Sequence, residues 1–224
     1  MTNVSAEALL FDMDGVLINS IPVVERVWSR WAANRGLNVE EVLHHVHGRP
    51  SITSLRDLLP DIDHEAENSI IEQAELNDVD GIVPLAGVKE LLRVLPEDRW
   101  AIVTSCTRPL AEVRIRAAGL PRPSVVITAD DITYGKPNAE PYLKGAAGLG
   151  FVPERCIVVE DALAGIASGR NAGARVIAFT TTTSITNLVA AKPDWIVKDC
   201  SAIRLDASVP TLKLALEEAT VGAP

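Results

Sequence analysis

Six short apolar runs punctuate the chain, and none of them alternates with polar residues. They are ALLF (8–11), AIVTS (101–105), SVVIT (124–128), CIVVE (156–160), RVIAF (175–179) and DWIVK (194–198). Short continuous runs are the signature of strands covered on both faces. Longer segments lie between them: PLAGVKELLRVLP (84–96), TRPLAEVRIRAAG (107–119), AEPYLKGAAGLG (139–150) and ALAGIASGRNAG (162–173). Several carry apolar residues at helical spacing and close on Gly, as helix C-termini do. Strand alternating with helix predicts an α/β fold built on a doubly wound parallel sheet.

One interval breaks this rhythm. Between Leu17 and Val83 no strand pattern is convincing, and PVVERVWSRWAANRG (22–36) opens a series of helical pieces. The expected organisation is a core first strand over 1–17, an inserted all-helical cap over 18–82 and the rest of the core over 83–224. The hinges fall near 16–20 and 81–85.

Apolar residues make up 47 % of the 224 residues, enough for a sizeable core, but aromatics only 4 %, so Leu, Val, Ile and Ala must fill it. A net charge of −9 argues against a nucleic-acid partner, which requires a basic face. Three widely spaced cysteines, Cys106, Cys156 and Cys200, fit free thiols in a reducing compartment. Cys156 opens an apolar run and reads as a small buried hydrophobe. The first residues lack the pattern of a signal peptide, and no apolar stretch approaches the roughly 20 residues of a membrane span. The expectation is a cytoplasmic monomer with no membrane partner.

In an open parallel sheet, ligands bind beyond the carboxyl ends of the strands. Asp12 and Asp14 follow the first run, Thr104 and Ser105 the second, Thr128 and then Lys136 the third, and Glu160 and Asp161 the fourth. Singly, Asp14-Gly15 is a turn signal and Asp161 a helix cap. Together, several carboxylates on one rim repel each other unless a cation joins them, and hard oxygen ligands select Mg²⁺. A lysine and hydroxyls beside them complete the equipment of phosphoryl transfer.

These stretches carry a family resemblance. FDMDGVLINS, VTS, YGKPNAEPYL and VVEDALAGIASGRNAG resemble, in order, the four motifs of the haloacid dehalogenase superfamily. The helical insert lies where that family's cap belongs, and the family's core is Rossmann-like. HVHGRPSITSL, AIVTSCTRP and TADDITYGKPNAEPYLKGAAGLG look closest to its sugar and polyol phosphatases, the glycerol-3-phosphate, 2-deoxyglucose-6-phosphate and hexitol-phosphate group. β-Phosphoglucomutase is more distantly similar, and a phosphosugar mutase is the alternative activity.

The resemblance implies residue roles. Asp12 is the nucleophile that forms an aspartyl-phosphate, and Asp14 the general acid and base. The second acid argues for phosphoryl chemistry over dehalogenation. Mg²⁺ is held by Asp12, the main-chain oxygen of Asp14, Asp161, and Glu160 directly or through water. Ser105 and Lys136 bind the phosphoryl oxygens. Cys106 and Thr107 follow at a helix start, where backbone N–H groups favour an anion, and Thr107 or Arg108 is a candidate core contact to the leaving group. His47 and Arg49 of the cap loop are candidate contacts to the leaving group. The implied substrate is a small phosphorylated sugar or polyol.

Two positions depart from the family pattern. Cys106 stands where Gly or Ala is usual, and reads as a small buried side chain that leaves only its N–H to the site. Arg49 is followed at once by Pro50, whereas the mutase-like arginine comes later after the glycine. Among residues outside the motifs, His44 and His45 lack companions at zinc-site spacing and read as solvated. Trp28 and Trp31 read as cap core. The acidic stretch HEAENSIIEQAELND (64–78) reads as a solvated helix face, and the tail from 199 carries no chemical signal.

Overall fold

A computed structural model describes residues 1–46, 51–206 and 211–219. His47 and Arg49 lie outside the described residues. The elements run β1 (Thr2–Ala6), β2 (Ala8–Phe11), β3 (Ile18–Asn19), α1 (Ile21–Asn34), α2 (Val39–Val46), α3 (Ser51–Leu58), α4 (His64–Asn77), β4 (Val83–Pro84) and α5 (Val88–Val94). They continue β5 (Trp100–Val103), α6 (Arg108–Ala117), β6 (Val125–Ile127), α7 (Glu140–Gly148), β7 (Cys156–Glu160), α8 (Leu163–Asn171) and β8 (Arg175–Phe179). The last are α9 (Ile185–Ala191), β9 (Trp195–Val197), β10 (Ile203–Asp206) and β11 (Leu212–Leu216).

All six apolar runs become strands of one parallel sheet, in the order β6-β5-β2-β7-β8-β9. Side chains alternate between its faces, so each continuous run feeds two cores. Leu9, Phe11, Ile102, Ile157, Val159, Ile177 and Phe179 join one. Ala8, Leu10, Ala101, Val103, Val158 and Ala178 join the other, with Tyr142 of α7, Ile166 of α8 and Leu188 of α9. This double burial is why the runs show no period-two alternation. The chain leaves β2 for β5 and β6 on one side, then crosses back to β7 on the other. Strand order therefore reverses at β2, and the carboxyl end of the strand at such a reversal is where open parallel sheets bind their ligands.

The insert carries α1 to α4, and its two crossings to the core pair antiparallel as β3 and β4, Ile18 against Pro84 and Asn19 against Val83. Trp28 and Trp31 are buried and pack edge to face, with ring centroids 5.3 Å apart. Asp63 caps α4 by accepting the Ala66 N–H at 3.1 Å. His44 and His45 are exposed.

Two expectations require correction. The strand ALLF is not the first: β1 precedes it and joins β11 and β10 in a small antiparallel sheet. The tail thus has a structural role, with Leu212, Leu214 and Leu216 buried on one side of β11. Nor is the acidic face of α4 simply solvated. Glu67 accepts from the Trp31 indole and pairs with Arg35, Glu72 accepts from Thr107, and Glu75 is buried against Arg114. Their partners come from α1, from α6 and from the residues that flank those helices, Arg35 and Thr107, which local spacing in α4 does not reveal.

Candidate active site

The site forms where β2, β5, β6 and β7 end. Asp12 extends β2, its N–H donating to the Val159 carbonyl at 3.0 Å. The chain then folds back sharply: Leu17 and Ile18 donate to the Met13 carbonyl at 2.9 and 3.0 Å, and Gly15 to that of Ile18 at 2.8 Å. Gly15 takes φ +85°, and a Cβ there would stand 2.1 Å from Asp161 Oδ2. Both the left-handed backbone and the approach of this carboxylate exclude a side chain.

Lys136 comes from the loop between β6 and α7. Its Nζ donates to Asp12 Oδ1 and to Glu160 Oε1, each at 2.6 Å, and to the Val103 carbonyl at 3.0 Å. The loop is tied down at several points. Glu140 accepts the N–H groups of Thr133 and Tyr134 at 3.0 and 2.8 Å, and Asn171 of α8 donates to the Pro137 carbonyl at 2.9 Å. Glu160 is saturated: Tyr142 Oη donates to Oε1 at 2.8 Å, and the N–H groups of Asp161 and Ala162 donate to Oε2.

Asp12, Glu160 and Asp161 are all buried, and one ligand oxygen from each falls within 4.8 Å of the others. Asp161 Oδ2 accepts from the Thr182 hydroxyl, while its Oδ1 is buried with no protein partner. Three carboxylates face a single ammonium, leaving surplus negative charge. Burial, only partly opposed by Lys136, pushes the Asp12 carboxyl up to about 7. Burial, then Glu160 and Asp12, push Asp161 well above its ordinary value. Burial alone would pull Lys136 down, but Asp12 and Glu160 outweigh it and hold the ammonium charged. An oxygen-only donor set, surplus anionic charge and an orphaned carboxylate oxygen fit a hard divalent cation such as Mg²⁺.

The structure brings Asp12, Lys136, Glu160 and Asp161 together and gives Asp14 different company. Asp14 Oδ1 accepts from Arg114 Nη1 at 2.9 Å, and Oδ2 from Cys106 Sγ at 3.2 Å. Cys106 is therefore more than a small buried filler. Its sulfur touches Asp14, and its N–H donates to Thr104 Oγ1 at 3.2 Å. Thr107 donates its hydroxyl to Glu72 of α4. The Arg108 guanidinium reaches Asp131 and the Val126 carbonyl, and its N–H donates to Asp130 at 2.7 Å. Ser105 is half-buried between β5 and α6.

Sequence reasoning missed Thr181 and Thr182, which donate to the Gly15 carbonyl and to Asp161. The signal was the four-threonine run 180–183, a fifth strand end delivering hydroxyls to the same rim. It also missed Arg114, Glu72 and Glu75.

A doubly wound sheet with a helical insert, whose strand ends gather three acids around one lysine, defines an α/β enzyme core of the hydrolase kind. The chain belongs to the haloacid dehalogenase-like hydrolases, whose family model matches residues 6–173. Hexitol phosphatase A of Escherichia coli is 46 % identical over 177 residues, 77 % of this chain and 82 % of that protein. Glycerol-1-phosphate phosphohydrolase 2 of Saccharomyces cerevisiae is 34 % identical over 218 residues, 91 % of this chain and 86 % of that one. A hydrolase from Pseudomonas syringae shares the fold with a TM-score of 0.76 at 24 % identity, over 86 % of this chain and 94 % of that one. Among the described residues, no helix is long and apolar enough to cross a membrane.

Proposed function

We propose that this protein is a Mg²⁺-dependent phosphatase of small sugar or polyol phosphates, working through an aspartyl-phosphate on Asp12. It is a phosphoric monoester hydrolase. The observation that carries the reading is Lys136 Nζ, 2.6 Å from both Asp12 and Glu160, beside the orphaned Asp161 Oδ1. The class of substrate is supported by relatives named for hexitol phosphate and glycerol-1-phosphate.

Asp12 attacks phosphorus from its position at the end of β2, and the ester oxygen departs on the opposite side. Lys136 opposes the effect of burial on Asp12, favouring its ionised form, and, with Ser105, holds the phosphoryl oxygens. Asp14 gives its proton to the departing oxygen. It then takes one from the water that hydrolyses the aspartyl-phosphate. Asp12, Asp161 and the main-chain oxygen of Asp14 would hold Mg²⁺, which screens the repulsion between nucleophile and phosphate. Glu160, its oxygens already engaged by four donors, suits a supporting contact through water. His47 and Arg49 are read from the sequence as cap contacts to the substrate's hydroxyls.

The test is inorganic phosphate release from hexitol, hexose and glycerol phosphates, against nucleotides, with Mg²⁺ and with chelator. Fast Mg²⁺-dependent release from the polyhydroxy substrates supports the reading. A tenfold preference for a nucleotide, full activity in chelator, or turnover that requires a bisphosphate and retains the phosphate on sugar contradicts it.

A further inference from the structure

Arg114 of α6 belongs to none of the sequence motifs, yet it is the only arginine among the described residues that is buried, at 4 % exposure. Its two terminal nitrogens face different parts of the molecule. Nη1 donates to Asp14 Oδ1 at 2.9 Å and to Cys106 Sγ at 3.2 Å. Nη2 donates to Glu75 Oε2 of α4 at 3.0 Å. Its Nε is buried with no hydrogen-bond partner. Glu75 is itself buried.

Burying a guanidinium is costly even when it is paired, and apolar residues of similar volume often serve stability as well. Stability alone therefore explains this triad poorly. Geometry explains it better. The guanidinium is a rigid planar fork, so the separation and angle between its two carboxylate partners are fixed together. One of them, Asp14, stands two residues from Asp12. The other belongs to the helical insert.

We propose that Arg114 is a positioning residue for Asp14, and that Glu75 makes this positioning depend on how the insert is seated against the core. Arg114 acts through the carboxylate it holds. The inference rests on the proposed role of Asp14 as proton donor to the leaving oxygen. A mispositioned donor penalises a poor leaving group, which needs the proton, more than a good one, which departs as a stable anion.

The experiment compares kcat/KM for an alkyl phosphate, glycerol phosphate, with that for p-nitrophenyl phosphate at saturating Mg²⁺. This ratio reports the first phosphoryl transfer and cancels a general loss of folded enzyme. For Arg114→Met the alkyl-to-aryl ratio should fall at least about 30-fold, part of the 10²–10⁴-fold range of general acid catalysis. Glu75→Gln, which leaves Arg114 paired with Asp14, should lower the ratio in the same direction by about three- to tenfold, and it decides the matter if the Arg114 variant does not fold. An unchanged ratio in the folded variants overturns the proposal. Asp14→Asn is the reference. If it lowers the ratio and the Arg114 and Glu75 variants do not, only this inference fails. If it leaves the ratio unchanged, the proton-donor reading of Asp14 fails and takes the inference with it.

Discussion

Gly165, in the first turn of α8, lies so close to Glu160 that a Cβ on it would stand 1.7 Å from Glu160 Oε1. A flexible surface carboxylate could swing aside, but Glu160 is 1 % exposed and held by Lys136, Tyr142 and two backbone N–H groups. Gly165→Ala must therefore move Glu160, and Lys136 with it. We expect a loss of about 1–3 kcal/mol in stability, the usual cost of overpacking, and a fall in kcat of at least about 100-fold. Chemical denaturation and steady-state kinetics check both. Wild-type kinetics in this variant would mean that Glu160 does not fix Lys136.

Asp12→Asn is nearly isosteric and removes the attacking charge while leaving Lys136 its contact with Glu160. Turnover should fall by more than about 10³-fold, with the melting temperature unchanged or higher, because the variant relieves repulsion in a cluster where burial already opposes the Asp12 charge. A residual rate within about tenfold of wild type at saturating Mg²⁺ would remove Asp12 from the role of nucleophile.

The parallel sheet was legible because its strands are covered on both faces, which leaves an unbroken apolar run in the sequence. β1 and β11 were not. TNVSA has a half-exposed burial pattern and LKLAL exposes one face, and such short alternating stretches carry little weight beside charged neighbours. The acids at the strand ends were legible for a similar reason, since each ends a run that needs no polar residue. Arg114 was hidden. In TRPLAEVRIRAAG it reads as one arginine of an amphipathic helix, and its partners Asp14 and Glu75 lie 100 and 39 residues away. Glu72 and Glu75 were hidden likewise, because an acidic run looks solvated until the helix facing it is known.

Asp161 offers the buried oxygen that has no protein partner. Asp161→Asn should raise the Mg²⁺ concentration for half-maximal activity at least about tenfold, while KM at saturating metal changes less. The rise in melting temperature that Mg²⁺ gives the wild type should shrink in the variant, since stabilisation by a bound ion follows its affinity. Ca²⁺ should inhibit, because its larger and looser shell fits the in-line geometry poorly. An equal Mg²⁺-induced shift in wild type and variant would place the ion elsewhere.

The loop that carries Lys136 is tied by Glu140, and this tie has a pH signature. The Glu140 carboxyl is held down at about 2 from an ordinary 4.5, first by its hydrogen bond from Lys144, then by the N–H groups of Thr133 and Tyr134. Its value in the folded protein is below that in the unfolded chain. The unfolded chain therefore binds the proton first on acidification. The stabilisation is fully present above pH 4.5 and is lost as pH falls through about 2. Glu140→Gln keeps the shape but cannot ionise. The gap in melting temperature between wild type and variant should be constant from about pH 5.5 to about 7.5 and close progressively below about 4.5. At neutral pH the variant should also bind substrate less tightly, because the loop that presents Lys136 has lost one of its anchors. A gap that widens on acidification would show that Glu140 is not stabilised as the anion, and that its contacts to Thr133 and Tyr134 do not hold this loop in solution.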